Sequence, residues 1–269
     1  MQPILEALRL RPRRPVVAVI RLQGAIGAGG RSLSDAGLAP AIEAAFRSKP
    51  VAVALEINSP GGSAVQSALI AARVRRLAEE KRVPVVAFVE DVAASGGYWL
   101  ATAADEIRID RGSMLGSIGV IAASFGFQTA IARYGVERRV HTAGRSKSML
   151  DPFRPEQPED VARLEGWLAD LHEYFIAHVR SRRGARLSDD PALFTGEVWI
   201  GEKAVAKGLA DGIGHLVPTM KERFGAQVRF RRFSARRSLL TRMGLSGAAL
   251  AEEAVGLVEE RAAFARYGL

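Results

Sequence analysis

The sequence predicts an α/β protein built on an at least partly parallel sheet. Short β-branched runs alternate along the chain with stretches of helical period. Val51–Ile57, a helical stretch over Ser63–Arg82 and the run Val83–Val89 make strand, helix and strand within about 40 residues, the pattern of a βαβ crossover. With 269 residues, 48% of them hydrophobic and 25% charged, the chain can bury one sizeable core and has an ordinary globular composition.

The first strand is expected over Pro15–Gln23 (PVVAVIRLQ), ending at Gly24 and the glycine-rich Gly27–Gly30. Val65, Leu69, Ala72, Arg76 and Leu77 mark the period of the helix over Ser63–Arg82. A short helix over Gly96–Ala104 follows the third strand, and further strands are expected at Glu106–Ile109, Gly119–Ala122 and Val136–His141. Val161, Leu164, Leu168, Leu171, Phe175 and Val179, three and four apart, predict a long amphipathic helix over Pro158–Arg182. Gly196–Gly214 reads as a compact unit ending in a turn. Arg229–Arg242 holds six arginines in fourteen residues, and Ser246 then caps an alanine-rich helix running to about Ala265.

Composition excludes whole classes of chemistry. Without cysteine there are no disulfides, thiolate nucleophiles, cysteine zinc sites or iron–sulfur clusters. The net charge is +9, yet only six lysines are present, at 49, 81, 147, 203, 207 and 221. The other basic residues are arginines, which stay protonated, so a lysine general base must be one of those six. A basic balance fits acidic partners such as nucleic acid or anionic lipid, and equally a solvated surface. The longest apolar runs, Pro15–Ile20 and Ile118–Phe127, fall short of the roughly 18 residues of a membrane span. The start, MQPILEALRLRPRRP, lacks the apolar core of a secretory signal and fits a short amphipathic surface helix.

Two glycine-rich junctions carry the candidate chemistry. In Asn58-Ser59-Pro60-Gly61-Gly62 a strand turns into a helix. Adjacent glycines leave backbone N–H groups unobstructed at a helix N-terminus, where negative charge is favoured, as in an oxyanion hole. A tight βα turn would use the same residues. In Ala93-Ala94-Ser95-Gly96-Gly97-Tyr98-Trp99 a serine sits at a second strand-to-helix junction, flanked by small residues and followed by the Gly96 N–H. Ser95 is there either an accessible nucleophile or a helix cap. A serine nucleophile needs a base. His172 and His178 fall in the long helix as surface or boundary residues, and His215 follows the terminal turn; His141, at a strand end, is the histidine to consider. Lys147 lies in a loop, and spacing alone does not select it.

Six stretches, in order, resemble the signal peptide peptidase A and SohB family of serine peptidases. They are VVAVIRLQGAI (16–26), INSPGG (57–62), VAASGGYW (92–99), GSIGV (116–120), HTAGRSK (141–147) and GEVWIGEKAVAKGLADGIG (196–214). The HTAG-x-x-K string is most similar to the SohB branch. The resemblance implies a ClpP/crotonase-like spiral of ββα units with a C-terminal helical appendage. It also implies a Ser–Lys dyad, with Ser95 on the family's nucleophile and Lys147, 52 positions on, on its general base. Gly96 and the Gly61-Gly62 turn fall on the oxyanion hole, and Ser117 has an auxiliary place, orienting the lysine or lining the groove. No histidine lies between Ser95 and His141, which argues against the histidine triad of ClpP itself. A lysine, protonated at neutral pH in water, becomes a base only where burial favours its neutral form.

The expectation is therefore a serine endopeptidase acting through an acyl-enzyme on extended, largely apolar, signal-peptide-like segments, with no metal and no cofactor. Residues 1–14 form an extension, 15–220 the peptidase domain and 221–269 a basic segment with an amphipathic helix. A homo-oligomer is expected, with no nucleic-acid partner and a peripheral membrane contact through the basic segment. With neither a signal peptide nor a membrane span in view, the expected place is cytoplasmic or peripheral to the membrane. Two other classes remain as alternatives: a crotonase-type acyl-CoA hydratase or isomerase, and a non-catalytic scaffold at a membrane surface.

Overall fold

In the structure, a computed structural model, residues 14–27, 32–144, 146–234 and 261–269 are described. The expected N-terminal amphipathic segment, most of the Gly27–Gly30 run and the C-terminal helix before residue 261 lie outside the described residues; 261–265 are helical. The chain divides into two compact units, residues 1–118 with 178–269, and residues 119–177.

The first unit is organised by a mostly parallel sheet. Strand β1 (Val16–Gln23) leads through helix α1 (Asp35–Arg47) to β2 (Ala52–Ser59), and α2 (Ala64–Lys81) leads to β3 (Val85–Ala94). Helix α3 (Gly96–Ala101), β4 (Glu106–Ile109) and β5 (Met114–Gly116) follow. β2 is buried along its whole length, as a central parallel strand covered on both faces must be. It lies between β1 and β3, parallel to both. β3 is ten residues long and shares one edge between two neighbours: Val86–Val89 pair with β4 and Val92–Ala94 with β5.

The α/β class and its parallel crossovers are those the sequence predicts, and β3 extends further than expected, up to Ser95. Val17, Val19, Ala52, Ala54, Val86 and Phe88 pack on one sheet face against Leu216 and Met220 of the helix Leu216–Phe224. Alternate residues of the same strands, with Ile20, Leu55 and Ile57 among them, line the other face, where α1 and α2 bring Ile42, Phe46, Ile70 and Val74.

Several expectations change. α2 buries Ser67, Ile70, Ala71, Val74, Leu77 and Ala78, whereas Val65 and Leu69 face solvent. Ile70, Val74 and Leu77, with the small Ser67, Ala71 and Ala78 beside them, make the buried face, which leaves Val65 and Leu69 outward. Gly119–Ala122 and Val136–His141 are not strands: no ladder partner lies beside them among the described residues, and their side chains are largely exposed. In the second unit, α4 (Gln128–Arg133) is a short helix, and Phe127 stacks on Phe153 at 5.6 Å.

Helix α5 (Pro158–Arg183) matches its predicted span to one residue. Past it come β6 (Val198–Ile200), antiparallel to β5, the short helix α6 (Glu202–Ala206) and β7 (Gly212–Ile213), which pairs with β4. Helix α7 is Leu216–Phe224, and β8 (Arg229–Phe233) adds a parallel edge strand beside β1. The start of the arginine-rich segment is thus part of the main sheet. No helix among the described residues is long and apolar enough to cross a membrane.

The end of α5 docks on α3 through His178, a partly buried boundary residue. Its ring stacks on Trp99, with centroids 4.3 Å apart and planes 13° from parallel. Thr102 spends its one hydroxyl proton on the Trp99 carbonyl at 2.6 Å, so it accepts from His178 Nε2 at 2.9 Å. This assigns the proton of the neutral ring to Nε2. Burial, and then the nearby Arg182 cation, push the His178 pKa down from 6.5 to about 4. The folded state therefore holds the ring neutral while the unfolded chain takes up a proton below pH 6.5. Stability from this group is full above pH 6.5 and declines as pH falls toward 4. The total loss is about 2 kcal/mol once partial exposure is allowed for. We expect the thermal midpoint to drop across that window, and His178→Gln to flatten the drop; an unchanged pH slope in the variant would count against this account.

Candidate active site

The C-terminal ends of β1, β2 and β3 meet where the two glycine-rich junctions lie. Ser95 follows β3 with φ 52° and ψ −122°, a left-handed conformation that costs a non-glycine residue about 1–3 kcal/mol. Its N–H is held by the Gly116 carbonyl at 2.8 Å, and its own carbonyl accepts the Trp99 N–H at 3.1 Å. The side chain makes no capping hydrogen bond and is partly exposed. The cap alternative for Ser95 thus has no bond to support it. A strained, partly exposed serine at a sharp strand-to-helix turn is the geometry by which nucleophiles are presented in other hydrolases.

The Asn58–Gly62 junction wraps against this turn. Gly61 O accepts the Ile26 N–H at 2.8 Å, and Ser63 N–H returns to Ile26 O at 2.8 Å. That clasp leaves no space at Gly62, where φ is +142° and an added Cβ would sit 2.0 Å from Ile26 O. Gly61 is buried, and its N–H is directed to Ser59 Oγ at 3.3 Å. Gly62 is exposed. Its N–H and that of Gly96, the first residue of α3, have no acceptor among the described residues of this unit. The two groups are close: a Cβ built on Gly96 would lie 3.4 Å from Gly62 N. Two N–H groups without an acceptor among the described residues therefore flank the serine, suited to a developing oxyanion.

Ser95, Gly61, Gly62 and Gly96 are brought together in the first unit. Ser117, also at positive φ (52°), directly follows Gly116, whose carbonyl holds Ser95, and its N–H bonds Glu197 O at 2.6 Å. Lys147 and His141 belong to the second unit and are exposed there; Lys147 N–H closes a turn onto Gly144 O at 3.2 Å. Among the described residues no group of three or more His, Asp or Glu side chains is arranged to hold a metal ion. Sequence reasoning gave no role to Ser59 or Ile26. Ile26 lies inside the VVAVIRLQGAI stretch, but only its bridge to Gly62 shows what it does.

Comparison with known proteins bears on the family of the chain. The profile of peptidase family S49 matches residues 77–224, and that of the NfeD1b N-terminal domain matches 17–130. A protein named Na(+)/H(+) antiporter NhaA from Brucella melitensis biotype 1 is 45% identical over 97% of this chain and 39% of its own length. The chloroplastic serine protease SPPA of Arabidopsis thaliana is 32% identical over 78% of this chain and 32% of its own. The chain thus spans well under half the length of these relatives. Among solved structures, a mutant of the 1510-N membrane-bound stomatin-specific protease in complex with a substrate peptide has the same fold. Its TM-score is 0.54 at 14% identity, over 90% of this chain and all of that one. The S49 profile runs through the Ser95 turn, the HTAGRSK loop and the terminal unit, over more than half of the sequence, and the chain belongs to peptidase family S49.

Proposed function

We propose that the protein is a serine endopeptidase with Ser95 as nucleophile and Lys147 as general base. The observation that carries the proposal is the Ser95 turn, with its positive φ, its uncapped hydroxyl and two unengaged N–H groups beside it. Lys147, once bound substrate shields it from water, takes the hydroxyl proton as Ser95 Oγ attacks the peptide carbonyl. The N–H groups of Gly62 and Gly96 hold the tetrahedral oxyanion. Gly61 shapes that turn but has its own N–H on Ser59. The proton on Lys147 then passes to the leaving amine, and water hydrolyses the acyl-enzyme by the same route in reverse. Ser117 stands beside the Gly116 carbonyl that holds the nucleophile, which suits an auxiliary role. A hydratase would use similar oxyanion donors, yet it has no need of a strained, partly exposed serine.

The substrate is an extended, apolar peptide, laid down by strand addition. The substrate peptide in the 1510-N complex supports a peptide as substrate. Its apolar character is supported by the second unit, which exposes Ile121, Phe125, Phe127, Tyr134 and Val136. The same apolar surface suits self-association. We further propose a peripheral contact with anionic membranes, for which the exposed Arg229 and Arg231 of β8 and the arginines after them are suited.

Ser95→Ala should abolish both peptide turnover and labelling by a fluorophosphonate while leaving the circular dichroism spectrum unchanged. Turnover by the folded variant would remove Ser95 from the mechanism. Lys147→Arg should be nearly as inactive as Lys147→Ala, because arginine keeps the charge but cannot release its proton. Wild-type kcat/KM should rise with pH as the base loses its proton. An active arginine variant with a flat pH profile would point to His141 instead. Light scattering should find an oligomer, and Arg229→Glu with Arg231→Glu should weaken pelleting with phosphatidylserine vesicles; a monomer, or unaltered pelleting, would refute the respective proposal.

A further inference from the structure

We infer that Ser59 is the positioning residue of the oxyanion donors: its hydroxyl decides which N–H of the Gly61-Gly62 turn faces the reacting carbonyl. This rests on the reading of Ser95 as nucleophile. Ser59 ends β2 and is fully buried. Its Oγ donates to the Gly24 carbonyl, at the end of β1, over 2.7 Å. A hydroxyl has one proton, so toward the Gly61 N–H at 3.3 Å the same oxygen can only accept. The Gly61 N–H is thereby drawn inward and its carbonyl is held by Ile26. The next N–H along the turn, that of Gly62, is the one left outward.

Ser59 also touches the other wall of the site. It pairs with Ala93 of β3, across a register shift that begins after Ile57. Its carbonyl oxygen occupies the place a Gly97 side chain would take, 2.3 Å from an added Cβ. One residue therefore sets the Gly62 turn by its hydroxyl and abuts the first turn of α3, which carries the Gly96 N–H. Because the hydroxyl spans from β1 to the turn, the turn cannot rotate its peptide plane without breaking a buried hydrogen bond. Preorganised donors need that kind of support, since small displacements of a catalytic group are costly in rate.

The test compares Ser59→Ala and Ser59→Cys with wild type, using a fluorogenic apolar peptide and a tri-leucine boronate, which mimics the tetrahedral state. Cysteine fills nearly the same space but is a weak hydrogen-bonding group. If the hydroxyl positions the turn, kcat falls in both variants by about tenfold to a hundredfold. KM should stay within about twofold, and boronate affinity should fall by the same factor as kcat/KM. A role in packing alone predicts a Cys variant with wild-type kcat, and that result overturns the inference. A fall in kcat without a matching loss of boronate affinity overturns it too. Should Ser59→Ala not fold, the Cys variant carries the comparison. Failure of the underlying reading looks different: wild-type enzyme would then not be labelled by a fluorophosphonate at Ser95, and both claims would fall together.

Discussion

At the ends of the first three strands, backbone lies against backbone with no side chain between. Ile26 clasps Gly62, Ser59 abuts Gly97, and the Gly61 turn presses on Ser95. The left-handed conformation of Ser95 depends on this close approach. Alone, a serine would relax to the extended or helical region. Here its N–H is fixed by Gly116 and its carbonyl by the first turn of α3. A helix of six residues has no stability of its own in water. α3 persists because all six of its residues are buried.

That burial links the site to distant parts of the chain. Tyr98, inside α3, donates its hydroxyl to the Leu209 carbonyl at 3.0 Å. Arg183, at the end of α5, makes a two-pronged bond to Asp211 at 2.9 and 3.0 Å and a third to the Gly208 carbonyl at 2.8 Å. Removing one partner of such a buried pair leaves the other uncompensated, so these contacts behave as a unit. Through Leu209, the terminal GEVWIGEKAVAKGLADGIG stretch supplies part of the surface on which α3 rests.

Legibility in the sequence followed the range of the interactions involved. Strand-to-helix junctions stood out because β-branched runs end at paired glycines, and β2, β3 and α5 needed only local pattern. α1 carries a local signal of its own: Ser34 caps it, and Leu38, Ile42 and Phe46 repeat every four residues. The buried face of α2 is turned from the expected one: Ile70, Val74 and Leu77 share it with the small Ser67, Ala71 and Ala78, while Val65 and Leu69 lie outside it. Ser95 could be found from its neighbours. The division of labour between Gly61 and Gly62 could not, since it depends on Ser59, Gly24 and Ile26, joined across separate strands. His178 looked like a boundary residue because nothing local reports the flat face of Trp99, 79 positions earlier in the chain.

Strand β8 ends the sheet beside β1 among the described residues. An unpaired parallel edge would ordinarily invite a neighbouring chain to continue the ladder. In this protein the edge reads Arg-Phe-Arg-Arg-Phe, with its arginines solvent-exposed. Two such edges brought together would set guanidinium rows against each other at strand spacing, where like charges repel. Growth of the sheet from molecule to molecule is thereby discouraged. Fusion of such edges into fibres is likewise disfavoured, and the described part of this edge keeps its positive charge toward its surroundings.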